Sequence, residues 1–172
     1  QAIILKSDYA KAYCNLGVIY FDSGRLDKSQ ASYMKAVDLN PNFAEAHNNL
    51  GNVLKELGKL NAAQTRYQTA IALKPDYAKA YNNLGNLMRD QGNLVEACSA
   101  HIEAINVDPN SADSYVSLSL TIKNMRFNSP YQKLYSPLIQ LLTAGNFIHP
   151  REMAPSILSL IRQDPLMKDL LF

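Results

Sequence analysis

Between residues 44 and 57, apolar side chains fall three or four positions apart: Ala46, Leu50, Val53, Leu54 and Leu57. Polar residues fill the gaps. That spacing puts one apolar stripe on a helix over about 44–57, and the Ala, Leu, Glu and Lys content favours it. Gly58 ends the helix, because glycine accepts the left-handed backbone of a helix terminus. A second stripe follows over about 60–73, with Ala63, Tyr67, Ala70 and Ile71 on one face. Pro75 and Asp76 then break the chain.

The same pattern recurs every 34 residues. Gly17, Gly51 and Gly85 mark one phase of it, and Gly24, Gly58 and Gly92 another. Leu16, Leu50 and Leu84 precede the first glycine, and Leu26, Leu60 and Leu94 follow the second. Ala36, Ala70 and Ala104 come later, then Pro41, Pro75 and Pro109. A fixed period in this range predicts stacked helix pairs. One pair cannot bury its apolar face alone, so neighbouring pairs must cover it. Gly51 sits mid-helix, where glycine costs about 1 kcal/mol against alanine. A close crossing that leaves no room for a side chain accounts for it. Ala63 and Ala70 are the small residues of the opposing helix, and Tyr67 and His47 fill the space around them.

This set of residues resembles the tetratricopeptide repeat family. The resemblance rests on His47, Leu50, Gly51, Leu54, Ala63, Tyr67, Ala70 and Pro75. The preceding unit has Tyr13, Leu16, Gly17, Tyr20, Ser29, Tyr33, Ala36 and Pro41; the next has Tyr81, Leu84, Gly85, Met88, Ala97, His101, Ala104 and Pro109. Ser29 replaces a small alanine, His101 replaces an aromatic residue, and in a fourth copy Ser119 replaces the glycine. The resemblance implies an all-α fold: a right-handed superhelical solenoid of antiparallel helix pairs with a C-terminal helical cap. We divide the chain into an array over residues 1–126 and a tail over 127–172. The array holds a half repeat, three full repeats and a degenerate fourth first helix. The opening "QAIILKSDYA" matches "TAIALKPDYA" of residues 69–78, so the chain reads as a fragment that begins inside a repeat. The tail has its own helical stripes, including Leu134, Leu138, Leu141 and Leu142, and is expected to cap the array or lead to a further domain.

Composition narrows the function. A net charge of +2 with no Lys/Arg run argues against a nucleic-acid partner. No apolar run reaches the roughly 20 residues that span a bilayer, so no membrane role is expected. Cys14 and Cys98 fit no metal or redox spacing and read as reduced thiols, which suggests a cytoplasmic setting. No catalytic or metal-ligating set is placed convincingly, so the expectation is a non-enzyme without cofactors. His47 and His101 read as core residues.

The recurrent asparagines carry the functional signal. Asparagine is a poor helix former, yet "NNLGN" appears mid-helix twice. In the family, first helices line a concave groove. Here the groove residues are Asn15 in the first unit; Asn48, Asn49, Asn52 and Lys55 in the second; Lys79, Asn82, Asn83, Asn86, Arg89 and Asp90 in the third. Amide side chains both donate and accept, so a ladder of them can pair with a peptide backbone. The alternative is that they bond to neighbouring repeats. The arrangement is similar to the asparagine ladder in the repeats of the O-linked N-acetylglucosamine transferase, which implies a peptide ligand. A carboxylate clamp for chaperone tails would need lysine at the fifth position of a unit. Cys14, Asn48 and Asn82 stand there instead. The leading expectation is a protein–protein interaction scaffold whose concave groove binds a protein or peptide partner, as an extended peptide or a helix. The other two readings are a substrate-recruiting arm of a larger transferase and a scaffold that self-associates through its repeat ends.

Overall fold

A computed structural model describes residues 2–123, Met125 and Ser159. Apart from Ser159, the tail at 127–172 lies outside the described residues, and with it the expected cap. The described elements are helices α1 (Ala2–Asp22), α2 (Leu26–Leu39), α3 (Ala44–Glu56), α4 (Leu60–Leu73), α5 (Ala78–Asp90), α6 (Leu94–Val107) and α7 (Ala112–Ile122). They form two compact units, Gln1–Leu87 and Met88–Phe172.

The punctuation works as its residue types dictate. Gly58 has φ +72°, and the backbone around it closes a Schellman cap: Gly58 N–H donates to Lys55 O at 2.9 Å and Lys59 N–H to Leu54 O at 2.8 Å. The turns at Gly24 and Gly92 repeat the same two bonds. Each second helix ends two residues before a proline. Asn40, ahead of Pro41, is extended at φ −137° and ψ 90°, as the proline ring requires of its predecessor.

The half repeat at the start is not set off from the first unit, because α1 runs unbroken from Ala2 to Asp22. Ser7 stands where the later units have Pro41, Pro75 and Pro109, so nothing there interrupts the helix.

In the first unit α1 packs on α2, α3 on α4, and α2 on α3; the first helices α1 and α3 also touch. The core is built from Ala36, Leu50, Val53, Ala63, Tyr67 and Ala70, each at most 1% exposed. Its tightest points are the two helical glycines. A Cβ on Gly51 would lie 2.6 Å from Tyr67 Cε1, and one on Gly17 would lie 2.7 Å from Tyr33 Cε1. The tyrosine ring occupies the space that any larger residue needs. Ser29 makes use of its extra atom, with Oγ donating to Gly17 O at 2.8 Å across the helix pair.

In the second unit α6 packs on α7. Ala97, Cys98, His101, Ile102 and Ile105 of α6 and Tyr115, Leu118 and Ile122 of α7 are buried. Ser119, in the glycine position, turns its hydroxyl onto Val116 O at 2.7 Å. Ser111 caps α7 by accepting from Ser114 N–H. Met125 seats its sulfur 3.5 Å from Cys98 Sγ.

Candidate functional site

Three first helices contribute polar side chains to one wall of the first unit: α1, α3 and the start of α5. Their asparagines do not share one role. Asn48 is fully buried. Its Oδ1 accepts from Asn83 Nδ2 at 2.9 Å, and its Nδ2 donates to Asn49 Oδ1 at 3.2 Å. Asn49 Nδ2 in turn points at Cys14 Sγ, 4.0 Å away. The result is a relay that links α1, α3 and α5. Asn48 is therefore a packing residue, and the relay realises the repeat-to-repeat bonding that the sequence left open. Asn52 Oδ1 accepts from Tyr67 Oη at 2.8 Å within its own unit.

The other candidates divide as follows. Asn15, Lys79 and Glu45 are exposed; Asn49, Asn52, Lys55, Asn82, Asn83 and Asn86 are half-buried. Asn86 Oδ1 is a buried acceptor without a partner among the described residues. Its counterpart one unit earlier, Asn52, is served by the Tyr67 hydroxyl, and the tyrosine position has become His101 in the later unit. Arg89 and Asp90, which fall in the second unit, pair with each other at 3.6 Å on a partly exposed face. Such a pair is worth at most about 1 kcal/mol.

Burial governs the titrating groups nearby. It pushes the Cys14 thiol up to about 11, helped by the charge of Glu45, and the Cys98 thiol up to about 12. Neither is a nucleophile near neutral pH. His47 and His101 are both buried, and burial lowers both; His101 falls to about 4. His47 Nε2 lies 3.0 Å from Pro41 O, a bond that fixes its ring against the interhelical turn. Both histidines thus sit in the core as neutral rings.

A pocket of about 280 Å³ opens on the wall. Val18, Phe21 and Asp22 of α1, Tyr33 of α2, Glu45, Asn49 and Asn52 of α3, and Lys79 of α5 line it. All belong to the first unit.

Comparison with known proteins fits this construction. A family model described as "TPR repeat" matches residues 19–58 and again 51–92; another, "Tetratricopeptide repeat", matches 78–107. Residues 19–107 are tetratricopeptide repeats, and the chain belongs to that family. Among solved structures, the first tetratricopeptide domain of Spaghetti (RPAP3), bound to the HSP90 peptide SRMEEVD, is 25% identical. That match has a TM-score of 0.64 and covers 67% of this chain and 91% of that one. The Arabidopsis OM64 tetratricopeptide domain gives 0.67 at 18% identity, covering 70% and 99%. MamA gives 0.62 at 23% identity, covering 87% and 77%. At those identities the last two speak for the fold alone. No curated protein matches the chain significantly.

Within the tetratricopeptide frame, one pocket residue escaped the sequence reading. Tyr33 reads as a packing aromatic, and its ring does pack on Gly17. The same residue, however, also lines the pocket. The signal was Val18, which stands where the next two units carry Asn52 and Asn86. Without that asparagine the Tyr33 hydroxyl has no partner corresponding to the one Tyr67 has.

Proposed function

We propose that the chain is a protein–protein interaction module that holds an extended peptide against the first-helix wall of its first unit. The observation that carries this reading is the pocket itself, whose lining from α1, α2, α3 and α5 is mostly polar. Asn49 and Asn52 bring amide groups to it, and amides can pair with peptide N–H and C=O whatever the side chains are. Each such bond contributes only about 0.5–1.5 kcal/mol net, so affinity would build up along the wall. Asn83 and Asn86 extend the same face along α5.

The relative with an HSP90 peptide in place supports a peptide ligand of some kind. Its ligand is acidic. Here the fifth positions hold Cys14, Asn48 and Asn82, which offer no cation, and Asn48 is buried. We therefore do not assign an acidic chaperone tail as the ligand. The two buried thiols favour a reducing compartment.

A peptide-display selection on the full chain tests the reading. Selected peptides should bind less tightly to Asn49→Ala and Asn52→Ala variants of unchanged helicity, measured by fluorescence anisotropy. Equal affinity for both variants and the parent would refute it.

A further inference from the structure

We propose that the pocket of the first unit receives a basic side chain, lysine or arginine, of the bound peptide. The inference rests on the peptide-binding reading above and adds the chemistry of the residue selected. Tyr33 is 3% exposed, yet its hydroxyl makes no hydrogen bond with any described residue. The equivalent hydroxyl of Tyr67 is tied to Asn52 at 2.8 Å. Tyr33 lacks that tie because its own unit has Val18 in the asparagine position. The Tyr33 hydroxyl therefore keeps a hydrogen-bonding capacity that a ligand atom in the pocket can use.

The lining states what that ligand is. Asp22 and Glu45 bring two carboxylates, and Lys79 brings one ammonium, so the pocket is net negative. Neither carboxylate is engaged in an ion pair among the described residues. Val18 and Phe21 supply an apolar wall for an alkyl stem. A lysine or arginine uses all of these at once. Its stem lies on Val18 and Phe21, its head meets Asp22 and Glu45, and the Tyr33 hydroxyl donates to a peptide carbonyl beside it. An acidic side chain would face two like charges.

The test is a randomised linear-peptide display selection on the full chain, run in parallel on the parent and on an Asp22→Asn, Glu45→Gln variant. The parent should enrich Lys or Arg at one position, and the variant should lose that enrichment. A selected peptide should bind the variant about tenfold more weakly, the scale of a lost charge-assisted bond. Replacing its basic residue by alanine should then cost the variant nothing further. Tyr33→Phe should weaken the parent's binding without lowering its melting temperature. Peptides selected without a basic preference, or the same peptides from both proteins, would overturn the proposal and leave the groove reading standing. If no library peptide binds the parent, both fall.

Discussion

Asn83 of α5 donates its side-chain amide to Asn48 of α3 over 2.9 Å, so two residues of the repeated "NNLGN" run bond to each other across a repeat boundary. Asn48 also holds Asn49. Replacing Asn48 by alanine breaks both bonds, at about 0.5–1.5 kcal/mol each. The better helix propensity of alanine returns no more than about 0.7 kcal/mol. A net loss of about 1 kcal/mol is expected in urea unfolding. Asn83→Ala breaks only one and should be close to neutral. The double variant should show a coupling energy; strictly additive losses would mean that the relay carries no energy.

Gly51→Ala tests the crossing. Helix propensity alone would make the change favourable by about 1 kcal/mol. The new Cβ would lie 2.6 Å from the Tyr67 ring, which is 1% exposed and has no free space to move into. Overpacking of this kind costs about 1–3 kcal/mol and should win. The melting temperature should fall, and pairing the change with Tyr67→Ala should remove the clash term.

The two tyrosines that cover the helical glycines should respond differently to loss of the hydroxyl. Tyr67→Phe breaks the 2.8 Å bond to Asn52 and should destabilise by about 1 kcal/mol. Tyr33→Phe breaks no bond with a described residue and should leave unfolding unchanged. Equal losses would show that the Tyr33 hydroxyl is engaged in the free protein.

His101 makes stability depend on pH. Its folded pKa, lowered by burial to about 4, lies below the ordinary 6.5, so the unfolded chain binds the extra proton first. Its contribution is complete above pH 6.5 and is lost as pH falls towards 4, by about 3 kcal/mol in all. His47 is lowered in the same sense. Urea midpoints measured from pH 8 to 4.5 should fall, and His101→Tyr, the residue found at positions 33 and 67, should flatten the slope relative to the parent.

Much of the fold was legible because its punctuation is local. Gly58 and Pro75 act within a few residues, so the limits of α3 and α4 could be read to within a residue. The fit of Tyr67 on Gly51 was legible too, since a mid-helix glycine needs a close neighbour to justify it. The fate of each asparagine was not. Asn48 and Asn49 are adjacent in sequence, yet one is sealed in the relay and the other reaches the pocket. That division depends on which helix lies opposite, and a single sequence does not contain that information. Tyr33 was hidden for a related reason: its opening onto the pocket comes from an absence on α1, at Val18. The missing proline at Ser7 was plain in the sequence, but its consequence, one helix of 21 residues, was not drawn from it.

The claim that the first-helix wall holds the ligand is tested most directly by the side-chain amide signals of the full chain in an NMR titration with a display-selected peptide. The NH₂ resonances of Asn49, Asn52 and Asn83 should shift, while those of Gln30, Gln64 and Gln68 on the second helices should stay in place. Shifts confined to the glutamines, with the three asparagines unmoved, would contradict it.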